Sequence, residues 1–292
     1  MIDKSVSENQ LNNLGILTSF GNRHVATHGG LILFGKSDVR QQVLPDARVS
    51  CARFSGSSKA DFIDRLDIEG SIIEAIEHVP VFIRRNTRLY PKIAGMRRED
   101  IPAYPVAAVR EILVNAVTHC DYSLAGMRIM IAIFNDRMEI QSPGTFPLGM
   151  TIDDFKAGLS RIRNRVIARV FRELGLMEEW GSEYRRVTDS CTRAGYPVPE
   201  WREVGPSMRV TIFPHPEARE QLLDVPVNVP VNERQEWFIE QLRNGRNCKA
   251  SELAVQWQIA EKTAKRDIAD LKKKGLITFI GAPKTGKYVL SE

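Results

Sequence analysis

Glu111 and Asn115 stand four residues apart in AAVREILVNAVTH, residues 107–119, where apolar side chains recur at helical spacing. At 3.6 residues per turn both polar side chains project from one face of a single amphipathic helix. A carboxylate able to take a proton from water, one turn from an amide oxygen able to hold Mg²⁺ against phosphates, is the minimum equipment of a phosphate-handling pocket. Glu and Asn at this spacing also serve solvated helix faces, so the pair takes its meaning from the elements around it.

Those elements follow directly: His119-Cys120-Asp121-Tyr122-Ser123, an apolar run from Ile129 to Phe134, then EIQSPGTFP at 139–147. Helix, loop, strand, turn, strand and glycine turn is the order of an α/β sandwich that holds a ligand under its turns. His119, Asp121 and Tyr122 either close over such a ligand or cap the helix end. His119 and Cys120 do not read as a nucleophile pair, because adjacent residues rarely face each other and no third orienting group is evident.

AVREILVNAVTHCDYS, EIQSPGTFP and RNRVIARVFRELGLMEEWGSEYRRV, with LILFGK near the start, together resemble a family of bacterial and archaeal transcriptional regulators, also described as ATP-dependent helicase-related. The middle domain of that family has the GHKL-type ATP-binding fold of gyrase and the histidine kinases, and the resemblance covers residues 25–215. It implies ATP or a related nucleotide with Mg²⁺ as cofactor, with Glu111 as the activating base and Asn115 as the metal ligand. It further implies that His119, Asp121, Ser142, Gly144, Arg163, Asn164 and Gly181 lie around the nucleotide. Relatives carry an AlbA-like or Schlafen-like nucleic-acid-binding domain ahead of this region, and residues 1–60 read as the segment that links to it.

Two positions depart from the ATPase pattern. Where the superfamily has DxGxG, with an Asp that receives the adenine amino group, this chain has Ser142-Pro143-Gly144. A serine hydroxyl is a neutral, shorter acceptor, so adenine selectivity falls. Where a GSG turn is expected the chain has Gly181-Ser182-Glu183, which adds a Cβ and a negative charge beside an anion. The expectation is nucleotide binding with weak or absent hydrolysis.

A chain of 292 residues is long enough for two or three domains. No apolar run approaches a membrane span and no signal peptide opens the sequence. Cys51, Cys120, Cys191 and Cys248 lack CxxC spacing, so neither a zinc site nor a disulfide framework is indicated, and a reducing cytoplasm fits. Residues 233–292 hold twelve Lys or Arg against eight Asp or Glu, and so carry +4 of the chain's net +5. That concentration points to phosphate backbones.

The basic module follows prolines at 214, 216, 226 and 230, which read as a linker over 216–232. Its pattern is three helices and a hairpin, with apolar stripes at Trp237, Phe238 and Leu242, at Leu253, Ala254 and Trp257, and at Ile268 and Leu271. The segment, TAKRDIADLKKKGLI above all, resembles the winged helix-turn-helix domains of bacterial repressors. A helix of this width enters the major groove. Lys262, Thr263, Lys265 and Arg266 are expected against double-stranded DNA from the third helix, and Lys284 and Lys287 from the wing. The alternatives are a solvated face or a protein-docking module.

Two further helices complete the reading. Ile68 to Arg85 is apolar at Ile72, Ile73, Ile76, Val79, Phe82 and Ile83, with Arg84, Arg85 and Arg88 at its polar end. Ser160 to Leu174 sets Arg161, Arg165, Arg169 and Arg172 along one stripe, opposite Ile162, Val166, Val170 and Phe171. That basic ridge is either plain surface or part of a phosphate site. The chain is therefore expected to be α+β, a GHKL-type sandwich over 61–215 followed by a winged helix over 233–292. The function expected is a homodimeric, DNA-binding transcriptional regulator that senses a nucleotide. Two rivals are a DNA-associated ATPase that remodels its target and a degenerate fold used only for dimerisation. No GxxxxGK[ST] loop is present, so a phosphate-loop helicase is not expected.

Overall fold

The apolar run at 129–133 is buried at four of its five positions, as an interior strand must be. It lies in the middle of a six-stranded mixed sheet. The computed structural model describes residues 7–94, 97–177, 181–218, 232–243, 246–257, 259–273, 276–281 and 286–290. They fall into two units, Met1–Leu223 and Asp224–Glu292.

The first unit opens with α1 (Glu8–Leu14), the hairpin β1 (Leu17–Phe20) and β2 (Arg23–Ala26), α2 (His28–Phe34) and α3 (Ser37–Val43). Next come β3 (Val49–Phe54), β4 (Phe62–Ile68), α4 (Ile72–Arg85), the hairpin β5 (Leu89–Ala94) and β6 (Arg97–Pro102), and α5 (Val106–His119). The remainder is β7 (Ile129–Ile133), β8 (Met138–Pro143), α6 (Ile152–Lys156), α7 (Arg165–Glu173), α8 (Glu183–Arg193), β9 (Glu200–Val204) and β10 (Ser207–Ile212). The large sheet runs β4-β3-β7-β8-β10-β9. Its one parallel seam joins Val49–Arg53 to Ile129–Ile133, and every other pairing is antiparallel.

Helices α4 and α5 pack on one face of this sheet, and α8 packs along α5. Val49, Ile129, Ile131 and Ile140 from the strands meet Ile72, Val79, Phe82, Leu113 and Val117 from the helices in one continuous core. Each such side chain contributes about 1.5–3 kcal/mol by leaving water. The opposite face holds a separate small cluster of Phe54, Ala132 and Phe134, and over β8 and β10 it is polar. Glu139, itself buried, is paired with Arg137 at 2.8 Å and Arg209 at 3.5 Å, while Arg209 also donates to Gln141. The result is a two-layer α/β sandwich with its helices on one side.

Three boundaries differ from the sequence expectation. The division at residue 60 falls between β3 and β4, which are paired along their length, so residues 49–54 are an interior strand of the sandwich and not a linking segment. The helix expected from Ile68 begins at Ile72, because Ser71 and Glu74 form a capping box and Ile68 still belongs to β4. The helix expected from Ser160 begins at Arg165. Asn164 holds the preceding segment off the helix, donating through Nδ2 to the Thr118 and Cys120 carbonyls at 3.0 and 2.7 Å.

The second unit contains α9 (Glu233–Arg243), α10 (Ala250–Gln256), α11 (Glu261–Lys273) and the antiparallel hairpin β11 (Ile277–Ile280) and β12 (Lys287–Leu290). Phe238, Leu242, Leu253, Ala264, Ile268, Leu271 and Ile277 form its core. Three helices and a hairpin stand where the sequence pattern puts them, and the chain as a whole is α+β. Most of the expected linker, 219–231, lies outside the described residues. Asp267 of α11 is buried and anchors the start of α9, accepting from Arg234 Nε at 2.8 Å and from Asn232 at 3.4 Å. Asp267→Ala strands the donors that surround it. We expect a loss of about 2 kcal/mol in this unit, read as a lower melting temperature.

Candidate functional site

Strand alternation decides what β8 offers to the helices. Ile140 and Ser142 point to the helical side, whereas Glu139 and Gln141 point away. Across from them, α5 presents Ile112, Asn115, Ala116 and His119. These two rows face each other across a cleft closed at one end by the turn from Gly144 to Pro147, with Arg163 beside it. Of the residues expected around a nucleotide, Asn115, His119, Ser142, Gly144 and Arg163 line the same cleft.

Asn115 Oδ1 is buried and has no hydrogen-bond partner among the described residues. An orphaned acceptor costs about 1–3 kcal/mol, so this oxygen is left one hydrogen bond or metal contact short. Its amide donates, at a long 3.4 Å, to Glu111 Oε1. Glu111 stands one turn back, outside the cleft lining. Its Oε1 accepts from Arg186 of α8 at 2.8 Å, so the carboxylate expected to activate water is held by a guanidinium instead.

The end of β8 shows why glycine follows proline there. Arg163 crosses directly over Gly144, donating to Asp121 Oδ2 at 2.8 Å and to the Thr145 carbonyl at 2.6 Å. A Cβ on Gly144 would sit 2.6 Å from Arg163 Nη1, on a backbone with φ +97°. Asp121 is therefore the counter-ion of Arg163. The Ser123 hydroxyl, then the Ser123 amide and Arg163, hold its carboxyl below the usual range. Asn164 ties the start of α7 to the end of α5, so it is a positioning residue.

Gly181 lies beyond the cleft lining. A Cβ there would stand 2.0 Å from the Gly158 carbonyl oxygen, so the close approach of two backbones demands glycine. The neighbouring Glu183 lines the cleft, is 3% exposed, and accepts from the Ser160 hydroxyl at 3.2 Å. Read in the sequence only as a departure from a glycine turn, it is a carboxylate built into the wall.

Burial pushes the His119 imidazole below its ordinary 6.5, and Arg163 adds to this. Glu183 and a hydrogen bond with the Arg161 backbone only partly oppose it. His119 is thus neutral at neutral pH. A base with a depressed folded pKa supports the fold fully above 6.5, and that support fades as pH falls from 6.5 toward the lowered value. We expect wild-type melting temperature to drop on acidification through this window, with His119→Gln removing that part of the pH dependence.

Sequence reasoning missed the aromatic wall. Phe155 packs against Phe146, Tyr184 and Trp201 with ring centroids 5.6, 5.6 and 5.8 Å apart, and Phe146, Phe155 and Trp201 line the cleft. They are scattered over 56 positions on a loop, two helices and an edge strand, so no periodicity announces them. The cleft itself holds about 90 Å³. Ligand pockets run to roughly 300–1,000 Å³, so the cleft in this conformation is smaller than a nucleotide. No group of three or more metal-ligating side chains exists among the described residues. The four cysteines are all buried, and burial pushes the Cys120 thiol far up, which removes it as a nucleophile.

In the second unit Lys262, Lys265 and Arg266 are exposed on one face of α11, opposite Ala264, Ile268 and Leu271 in the core. Thr263 is half-buried beside them. Lys265 Nζ is paired with Glu261 Oε1 at 2.8 Å, a pairing the sequence reading overlooked. Lys287 opens β12 and is exposed, whereas Lys284 lies outside the described residues.

Residues 126–212, from the loop before β7 to the end of β10, match the family described as "Putative ATP-dependent DNA helicase recG C-terminal". Residues 234–280 match the "DeoR-like helix-turn-helix domain". Among curated proteins none matches the chain. Among solved structures, the DIP2311 protein from Corynebacterium diphtheriae is similar in fold, with a TM-score of 0.59 and 20% identity over 96% of this chain. The alignment covers 56% of that protein, so this chain spans little more than half its length. An ATPase-like domain and a C-terminal helix-turn-helix are therefore both present, as the sequence motifs led us to expect. The first match begins after α5 has ended, so Glu111 and Asn115 stand on geometry alone. No helix among the described residues is long and apolar enough to cross a membrane.

Proposed function

We propose that this chain, an ATPase-like domain joined to a DeoR-like helix-turn-helix, is a DNA-binding transcriptional regulator whose first unit senses a nucleotide or a comparable anion. The observation that carries the reading is the convergence of Asn115, His119, Ser142 and Arg163 on one cleft in which a buried acceptor, Asn115 Oδ1, is unmatched among the described residues. An amide oxygen suits Mg²⁺, which takes few protein ligands and completes its shell with phosphate oxygens and water. Bound there, the ion would neutralise phosphate charge. Ser142 offers a hydroxyl to the base, the aromatic wall offers stacking, and Arg163 stays engaged with Asp121.

Turnover is expected to be weak or absent. Arg186 occupies Glu111, and Glu183 adds a carboxylate where phosphates approach. Phosphate release should stay near background with or without duplex DNA, and Glu111→Gln should change nothing. Strong DNA-stimulated release that Glu111→Gln abolishes would instead support the remodelling ATPase. Calorimetric titration of the full chain with ATP and Mg²⁺ tests the sensing itself, and no heat across a wide concentration range sinks it. Two winged helices on a homodimer would read two half-sites, and a ligand acts on that dimer only by favouring one arrangement. Light scattering of the full chain reports the stoichiometry.

A further inference from the structure

Helix α7 buries Ile167, Ala168, Val170 and Phe171 and leaves Arg165, Arg169 and Arg172 exposed. With Ser160, Arg161 and Ile162 these arginines line a groove of about 500 Å³, and no carboxylate is among the described residues that line it. Glu173, the acidic residue of the helix, is not part of the lining. Arg161 is held in place by donating to the Leu148 carbonyl at 2.7 Å.

Arg165 and Arg169 are like charges at i,i+4, which is destabilising, and Arg165 stands at the positive end of the helix dipole. The charges also do not converge. From Arg165 to Arg172 the helix rises about 10 Å, so the guanidiniums form a row rather than a cup. A single phosphate is met by converging donors, whereas a row of forked, weakly hydrated donors matches a polymer of phosphates.

We propose that this row binds the phosphodiester backbone of duplex DNA, giving the first unit its own DNA-contacting surface. The chain already carries a DNA-binding domain type at its other end, and a tether between two phosphate-binding modules turns the second contact into an intramolecular event. The inference does not rest on the nucleotide reading of the cleft.

The test measures binding of the full chain to a fluorescent duplex at several salt concentrations. Arg165→Glu/Arg169→Glu is compared with the charge-matched control Arg84→Glu/Arg110→Glu, whose two arginines are exposed elsewhere on the first unit. Each lost phosphate contact flattens the log–log salt dependence by about 0.9, so the ridge variant should lose about 2 and the control none. Arg165→Gln/Arg169→Gln gives the same reading with less electrostatic disturbance should the charge reversal unfold the helix. In a Lys262→Glu/Arg266→Glu background, where the winged helix is disabled, weak salt-sensitive binding should remain and the ridge change should remove it. That background separates failure of the ridge from failure of the winged helix. A ridge variant whose slope matches the control overturns the proposal. So does one that weakens ATP binding while leaving the DNA slope intact, which would assign the arginines to a nucleotide's phosphates.

Discussion

Reversing charge at Lys262 and Arg266 in the full chain should lower affinity for duplex DNA by about 100-fold at moderate salt and flatten the log–log salt dependence by about 2. Both side chains are exposed on the face of α11 opposite its buried residues Ala264, Ile268 and Leu271. Substituting them therefore leaves the core of the unit untouched, and the melting temperature should hold. With about five basic residues expected on DNA, the winged helix alone should give a slope of about −4 to −5. Lys265 is the weaker contributor, because Glu261 already shares its ammonium. Unchanged affinity in the double variant, or a wild-type slope near zero, would move the unit from DNA binding to protein docking.

Asn115→Ala should separate ligand binding from stability. The substitution deletes an acceptor that is buried without a partner, and gives up only a long 3.4 Å contact with Glu111, so the fold should be as stable as wild type or slightly more so. Mg²⁺-dependent ATP affinity should fall at least about 10-fold, because the deleted oxygen is the unpartnered acceptor through which the proposed site would hold the ion. A lowered melting temperature would mark Asn115 as a structural residue. Wild-type affinity in a variant that melts normally would end the metal-site reading.

Much of the fold is legible in local pattern. The helix carrying Glu111, the apolar strand at 129–133 and the helices of the second unit announce themselves by spacing, because each buries one face against the core. Legibility ends where partners are remote in sequence. Nothing local says that strand β3 joins the sandwich, since its parallel partner arrives about 80 residues later. The same limit hid the Arg186 partner of Glu111, 75 positions away, and the clamp that Asn164 places on the end of α5. In the sequence Arg163 and Asn164 form one motif, but Arg163 bonds Asp121 and Thr145 while Asn164 bonds the end of α5. Ser142-Pro143-Gly144 reads as a turn, but Ser142 and Pro143 still belong to β8, and the glycine is explained by its positive φ and by the guanidinium that crosses it.

The parallel seam between β3 and β7 also sets an order of events during synthesis. Val49 must wait for Ile129 before its second edge is satisfied, so the emerging chain carries a half-paired hairpin of β3 and β4 through the making of α4, the β5–β6 hairpin and α5. An unsatisfied strand edge is an invitation to the wrong neighbour. Shortened forms that begin after Phe54 would expose the complementary edge of Ile129–Ile133 permanently, and they should accumulate as insoluble material rather than as a smaller working protein.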